Sequence, residues 1–382
     1  MIQEPLVSIW MPIRNAANLI HRALQSCIHQ THKNLEVIVF DDASTDNTRE
    51  IVRSFSLHDQ RIKLIPNDNR LGLTRSMSAA LEHTSGDFVQ VLNHDDWLAR
   101  NYIEKTLKAF RDYPRAGVAA GRIIHVREKD GVIHYLNEPK VSAGIYPLSF
   151  YGKNAYKTFI PSIITLGLIR RDDALRAALF VRKFLDNIPE SFPRELREMM
   201  KYEYCSDVLF PSKVLSKQKF FVLTNETAYL KDEQPIEHYM VHKGSMKLRA
   251  EFGLLDNTAK KFFKYFYFRR KLYEHLLAED RPDYLSYMRK FYGGEVIATT
   301  FINFLKRPLN IGFWRGLEWK EVRLFFEGFS FAEVLGSLFQ SPLRFFERFF
   351  FWLLRIISPR SKPDIRRPEY FLDSDGHFQA NG

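Results

Sequence analysis

The stretch Leu35-Glu36-Val37-Ile38-Val39-Phe40-Asp41-Asp42-Ala43-Ser44-Thr45-Asp46-Asn47-Thr48 decides how the first third of the chain is read. Leu35–Phe40 is a short apolar run centred on Val37, Ile38 and Val39, the composition of a strand buried on both faces. A polar loop from Asp41 to Asp46 follows, and Asp46 and Thr48 are placed to cap a helix running to about Phe55. A strand, an acidic loop and a helix in succession predict one half of a βαβ unit.

The same alternation extends on both sides. Upstream, Val7–Met11 reads as a strand ended by Pro12, and Leu19, Ile20, Ala23, Leu24, Cys27 and Ile28 repeat at helical spacing. Downstream come a strand at Ile62–Ile65, a helix at Thr74–His83, a turn at Ser85-Gly86-Asp87 and a strand at Phe88–Leu92. Asn93-His94-Asp95-Asp96 closes that strand, Asn101–Asp112 reads as helix and Gly117–Val126 as strand. Strands separated by helices predict an α/β fold with a mostly parallel sheet flanked by helices. Such sheets bind ligands beyond the carboxyl ends of their strands. Three polar groups fall there: Pro12-Ile13-Arg14-Asn15, Asp41-Asp42 and Asp95-Asp96. Two acid pairs on one rim suit a nucleotide and a hard cation, Mg²⁺ or Mn²⁺, which needs few protein carboxylates when the substrate supplies a diphosphate. Each pair has a plainer use as a turn former or helix cap, and Arg14 alone reads as a solvated surface residue.

In these blocks the chain resembles family 2 glycosyltransferases. Val7-Ser8-Ile9-Trp10-Met11-Pro12-Ile13-Arg14-Asn15 matches the family's opening strand, and Ser26-Cys27-Ile28-His29-Gln30-Thr31 matches its Ser-x-x-x-Gln-Thr block. Leu35 to Thr48 matches the next block, and Gly86-Asp87-Phe88 through Asp95-Asp96-Trp97 matches the strand ending in paired acids. The blocks come in order, with the family's spacing, over roughly the first 125 residues. The resemblance implies a GT-A fold and inverting transfer of a sugar from a nucleotide-diphosphate donor, UDP-sugar favoured. It implies that Asp42 holds the base, that Pro12 and Arg14 line the nucleoside pocket with Asn15 and Asp41 beside them, and that Asp95 and Asp96 meet the ribose and the divalent metal. The chain departs from the family where Arg14 stands in a common Tyr position, where Asn93 replaces the first acid, and where Met77-Ser78 replace a more usual pair ending in Asn. Arg75 is the remaining donor-side candidate. An inverting transferase needs a base on the acceptor side. Cys205-Ser206-Asp207-Val208-Leu209-Phe210 resembles the helix start where the family places it, which makes Asp207 the expected base. Glu203, Asp172 and Asp173 are rivals, and a helix cap at Ser206 or Asp207 is the plainer reading.

Beyond residue 125 the alternation weakens. Asp130-Gly131 reads as a hairpin turn, Ile160–Ile169 as an apolar run, Asp172–Phe184 as a helix, and Phe220–Leu223 and Ala228–Leu230 as two short strands. The expected organisation is a GT-A domain over 1–250, with a nucleotide-binding half at 1–125 and an acceptor-side half at 126–250. A helical aromatic and basic region at 251–358 and a loose tail at 359–382 follow.

The chain has 382 residues, 45% of them hydrophobic and 26% charged, which excludes a disordered or low-complexity protein. Two cysteines exclude a disulfide scaffold and a thiolate zinc cluster, and point to a reducing compartment. A net charge of +11 with 33 Phe favours an anionic partner, and Phe beside Arg and Lys favours a membrane surface. Lys261–Arg270 and Ser341–Arg355 carry that texture, and the same aromatics also suit a core or a partner contact. No export signal opens the sequence and no run is long and apolar enough to span a bilayer, so the expected location is cytoplasmic, peripheral on the inner face of the plasma membrane. The expected acceptor is a glycan or lipid-linked sugar in cell-envelope polysaccharide synthesis. Two other functions stay open: a catalytically degenerate GT-A protein that binds nucleotide or membrane without turnover, and, with less support, a nucleic-acid binder. The charge suggests the last, but no helix-turn-helix, zinc-finger or RRM motif supports it, so no nucleic acid is expected.

Overall fold

The structure is a computed structural model; it describes residues 4–129, 132–137, 141–147, 159–201, 206–216 and 220–232, and shorter helical stretches between 267 and 342. The chain forms two compact units: Met1–Asn187 with Cys205–Val241 and Asp364–Gly382, and Ile188–Tyr204 with His242–Pro363.

The first unit is built on a ten-stranded mixed sheet. Its strands are β1 (Val7–Ile13), β2 (Leu35–Asp42), β3 (Ile62–Asn67), β4 (Phe88–Val91), β5 (Trp97–Leu98), β6 (Val118–Lys129), β7 (Val132–Asn137), β8 (Gly144–Pro147), β9 (Leu168–Arg170) and β10 (Phe220–Asp232). They run in the order β3-β2-β1-β4-β9-β6-β10-β5, with β7 added on β6 and β8 on β10. The β3-β2-β1-β4 half is parallel, as the βαβ alternation predicts. The helices α1 (Ile20–Ile28), α2 (Thr48–His58) and α3 (Leu73–Glu82) connect these strands, and α4 (Tyr102–Asp112) leads from β5 into β6. Every residue of β1 and β2 is buried, so these strands read as apolar runs rather than alternating ones.

Three local readings need correction. Pro12 does not end β1, which pairs with β2 through Pro12↔Phe40 and Ile13↔Asp41. The Trp10 carbonyl accepts Leu92 N–H at 3.1 Å on the β4 side. Pro12, two residues on, faces that same side past the end of β4, where a missing N–H costs no ladder bond. Asp41 and Asp42 are not loop residues; they are the last two of β2, in register with Pro66 and Asn67 of β3. The two short strands expected at 220–230 are one strand, β10, whose pairing with β6 shifts register between Leu223 and Ala228. That bulge hides the continuity in the sequence, because it breaks the period of two.

The family-like blocks far from the acidic rim are structural. Gln30, fully buried, donates to the Ser26 and Ala99 carbonyls at 3.0 and 2.9 Å and accepts from Ile103 N–H at 3.2 Å, tying α1 to the start of α4. Ser26 Oγ accepts from Leu98 N–H at 3.3 Å, which fixes β5 against α1. At the amino ends of the strands, Glu36 accepts from Ser8 Oγ, Ser85 N–H and Ser85 Oγ at 2.7 Å each and from Lys63 Nζ at 2.8 Å. A Cβ at Gly86 would stand 2.7 Å from the Leu6 carbonyl and 2.8 Å from Ser8 N, so only glycine fits beside β1.

In the second unit, Arg270 is buried and ion-paired to Glu274 at 2.5 Å, and Glu274 also meets Arg289 at 2.7 Å. Arg270 also donates to the Glu327 carbonyl at 3.0 Å. No helix among the described residues is long and apolar enough to cross a membrane.

Candidate functional site

The register of the parallel strands assembles the rim. Ile13↔Asp41 brings Arg14 and Asn15 beside Asp42 and Ala43, and Trp10↔Val91 brings the Asn93–Asp96 loop to the other side of β1. The first two loops are clamped together: Asn15 N–H donates to Ser44 Oγ at 2.9 Å, and Asn15 Oδ1 accepts from Thr45 N–H at 2.8 Å. Asn15 and Ala43 both have left-handed backbone, with φ of 49° and 58°. Asn tolerates that conformation; Ala43 is strained by it, and such strain gathers at functional sites.

Asp41 and Asp42 have different surroundings. Asp41 Oδ2 meets Arg49 Nε at 2.5 Å and Ser44 N–H at 3.2 Å, while its Oδ1 is buried and receives no hydrogen bond. Asp42 holds the β3–α3 connection, accepting Leu71 N–H at 2.7 Å, Gly72 N–H at 2.9 Å and Asn67 Nδ2 at 3.3 Å. Pro12 is buried beneath this loop pair, and Arg14 is half-buried with its Nε hidden from solvent and without an acceptor.

The second acid pair divides more sharply, into one bonded member and one without a bond among the described residues. Asp96 is buried at the centre of a network: Asn93 Nδ2 and Tyr229 Oη each donate to Oδ2 at 2.8 Å, and Asp232 N–H donates to Oδ1 at 3.0 Å. Burial first, and then the neighbouring Asp95 charge, push the Asp96 carboxyl well above the usual carboxylate range. Burial, reinforced by Asp96, likewise raises the Tyr229 phenol. Asp95 is half-buried and has no hydrogen bond or ion pair among the described residues. Behind the network, Arg22 lies over the Trp97 ring at 4.7 Å and 4.0 Å from the Asp232 carboxylate. Burial lowers the Arg22 pKa and Asp232 opposes that shift.

The donor set fits a nucleotide diphosphate with a hard cation. Asp95 offers an uncommitted carboxylate and Arg14 a buried N–H without an acceptor. No group of three or more His, Cys, Asp or Glu placed to hold a metal ion occurs among the described residues. A cation here would therefore draw most of its ligands from the diphosphate and water, as Mg²⁺ and Mn²⁺ do.

Residues 8–176 match the family model described as Glycosyl transferase family 2. This stretch belongs to glycosyl transferase family 2. The glycosyltransferase GlyA of Streptococcus pneumoniae is 33% identical over 135 residues, covering 35% of this chain and 19% of that protein. The Escherichia coli UDP-Glc:alpha-D-GlcNAc-diphosphoundecaprenol beta-1,3-glucosyltransferase WfgD is 44% identical over 99 residues, 26% of this chain and 38% of that protein. The chain thus spans less than half the length of these curated relatives. The crystal structure of S. aureus TarS 1-349 in complex with UDP-GlcNAc has a TM-score of 0.51 at 17% identity, covering 90% of this chain and 83% of that one. That likeness gives the fold, a GT-A type mixed α/β sheet with flanking helices.

Within this family 2 stretch the structure gathers Pro12, Arg14, Asn15, Asp41, Asp42, Asp95 and Asp96 on one rim. Arg75, in the first turn of α3, pairs with Asp186 at the end of the helix Arg171–Asp186, at 2.6 Å. Ser78, one of the departures from the family pattern, is buried and bonds the Thr74 and Ala178 carbonyls, so it packs α3 onto that helix. Asp173 is buried against Arg176, and Asp172 is exposed. Asp207 is the second residue of the helix Ser206–Ser216; its side chain and Glu203 lie outside the described residues. Tyr229, Asp232 and Arg22 carry no local sequence signal. Tyr229 and Asp232 meet Asp96 only because β10 runs alongside β6 and β5, 133 residues along the chain in the case of Tyr229 and Asp96, and Arg22 of α1 reaches this group through Asp232.

Proposed function

We propose that this protein is a metal-dependent inverting glycosyltransferase that moves a sugar, from UDP-sugar in first place, to a hydroxyl of a glycan or lipid-linked acceptor in cell-envelope polysaccharide synthesis. The observation that carries the reading is the division of labour on the rim. Asp42 and Asp96 hold loops in place, while Asp95 and Arg14 keep polar groups uncommitted. The names of WfgD and of the putative teichuronic acid biosynthesis glycosyltransferase TuaG support the envelope setting.

In this reading Pro12 and Arg14 line the nucleoside pocket, with Asn15 and Asp41 holding its loops and Asp42 setting its floor. The Arg14 guanidinium suits stacking on a base as well as donating to it. Asp95 faces the diphosphate with Mn²⁺ or Mg²⁺, and Asp96 keeps the Asp95 loop rigid. Bound there, the cation supplies positive charge against the charge that develops on the leaving diphosphate. Arg75 contributes only if it releases Asp186. Asp207 acts as the base: it takes the proton of the acceptor hydroxyl as that oxygen bonds the anomeric carbon. The bond to the diphosphate breaks, and its electron pair leaves with the nucleoside diphosphate. The enzyme works at the inner face of the plasma membrane.

The test is calorimetric titration of UDP, GDP, dTDP and CDP, with and without Mn²⁺, on the wild type and on Asp95→Ala. Metal-dependent binding of one nucleotide, lost in the variant, is the expected result; folded protein that binds none of them ends the reading. Asn93, whose amide is spent on Asp96 where the family often has an acid, favours one second reading: a binder without turnover. Release of nucleoside diphosphate from donor in Mn²⁺ eliminates it.

A further inference from the structure

The helical segment 331–339 in the second unit is inverted. Its buried residues are polar, Glu333 and Ser337, while Phe331 and Phe339 are 81% and 75% exposed and Leu335 and Leu338 stand beside them in solvent. At 3.6 residues per turn these four apolar side chains fall within an arc of about 100°.

The inversion is built in. Ser330 and Glu333 form a reciprocal capping box: Ser330 N–H donates to Glu333 Oε2 at 2.8 Å, and Glu333 N–H donates to Ser330 Oγ at 3.2 Å. Glu333 also pairs with Arg289 at 3.6 Å. A Cβ at Gly336 would meet the Lys290 side chain at 2.8 Å, and one at Gly293 would run into Ser337. Small and polar residues therefore face the helical residues Arg289, Lys290 and Gly293 at close quarters. Turning the helix to bury its phenylalanines would break the ion pair and this fit.

We propose that this exposed stripe docks on an anionic lipid bilayer. The proposal rests on the peripheral placement proposed above and names the surface that performs it. Charge selects the occupant. The only charged residue of the segment, Glu333, is turned inward, so no carboxylate on the stripe repels headgroups. The sequence from 340 to 362 carries five basic residues against one acid, among Phe, Trp, Leu and Ile, and the whole chain has a net charge of +11.

The test is co-sedimentation of the full chain with phosphatidylglycerol–phosphatidylcholine vesicles and with phosphatidylcholine alone. Wild type partitions onto the anionic vesicles, and Phe331→Gln/Phe339→Gln loses at least about tenfold of that partition with its circular dichroism melt unchanged. Phe331→Trp, a shape-tolerant variant at an exposed position, retains binding, and difference emission against wild type shifts to the blue on the vesicles. Equal partition of the double variant and wild type overturns the proposal, as does absence of anionic-vesicle binding. A concentration-dependent dimer abolished by the same variant assigns the stripe to a second copy and also overturns it. UDP titration of the double variant separates the two readings: loss of vesicle binding with nucleotide binding intact leaves the donor site standing, and the converse sinks only the transferase.

Discussion

Adjacent acids on this rim do different work, and single substitutions separate them. Asp95→Asn is expected to abolish Mn²⁺-dependent nucleotide binding in calorimetry while leaving the melting temperature within about a degree, because the side chain holds nothing in place. Asp96→Ala is expected to cost about 2–3 kcal/mol in urea unfolding, since it strands buried donors from Asn93, Tyr229 and Asp232. Glu36 gives a pH signature at the opposite end of the strands. Burial alone would raise its pKa, but Lys63, Ser8 and Ser85 outweigh that and hold it at about 2. A folded pKa below the unfolded one means that the stabilisation is complete above about pH 4.5 and is lost as pH falls toward 2. Urea unfolding at stepped pH should show this loss in the wild type and a flatter acid limb in Glu36→Gln, which starts from a lower stability at pH 7. The pairs Asp41-Asp42 and Asp95-Asp96 were legible in the sequence as acids at strand ends. What ties Asp42 and Asp96 down was not, because the donors to Asp42 come from Leu71 and Gly72 and those to Asp96 from Tyr229 and Asp232.

Elements locate the rim through joints distant from it. Gln30→Ala removes three buried hydrogen bonds that tie α1 to α4, and should lower stability by about 2–3 kcal/mol with nucleotide affinity unchanged in the surviving folded fraction. Gly86→Ala forces backbone against backbone at Leu6 and Ser8 and should cost about 1–3 kcal/mol in the same unfolding assay. The helices of the first 125 residues were readable from their 3.6-residue period and the buried parallel strands from their short apolar runs. β2 proved longer than its apolar run because Asp41 and Asp42 keep pairing with β3 even though their side chains are polar. β10 was read as two strands because a bulge breaks its alternation.

The rim made by the first hundred residues and the helix Ser206–Ser216 belong to the same compact unit, and the proposed function gives the donor to the first and the acceptor to the second. If Asp207 is the base, Asp207→Asn should lower kcat by at least about a hundredfold while the calorimetric affinity for the nucleotide stays at the wild-type value. An equal loss of nucleotide affinity would move Asp207 out of that role. The basic, Phe-rich composition pointed to a membrane surface from the outset, yet composition does not say which aromatics face outward.

Local chemistry was written plainly along the chain. Apolar runs, their spacing and the acids that end them specified an α/β fold with two acid pairs on one rim, because strand burial and helix periodicity are properties of neighbouring residues; the family came from the resemblance of whole blocks. The assignment of Asp96 to a buried network with Tyr229, the strain at Ala43 and the outward turn of Phe331 and Phe339 came from folding alone. Each depends on hydrogen-bond donors, backbone angles or close helix packing supplied by residues remote in sequence, and no local pattern encodes which remote partner will arrive.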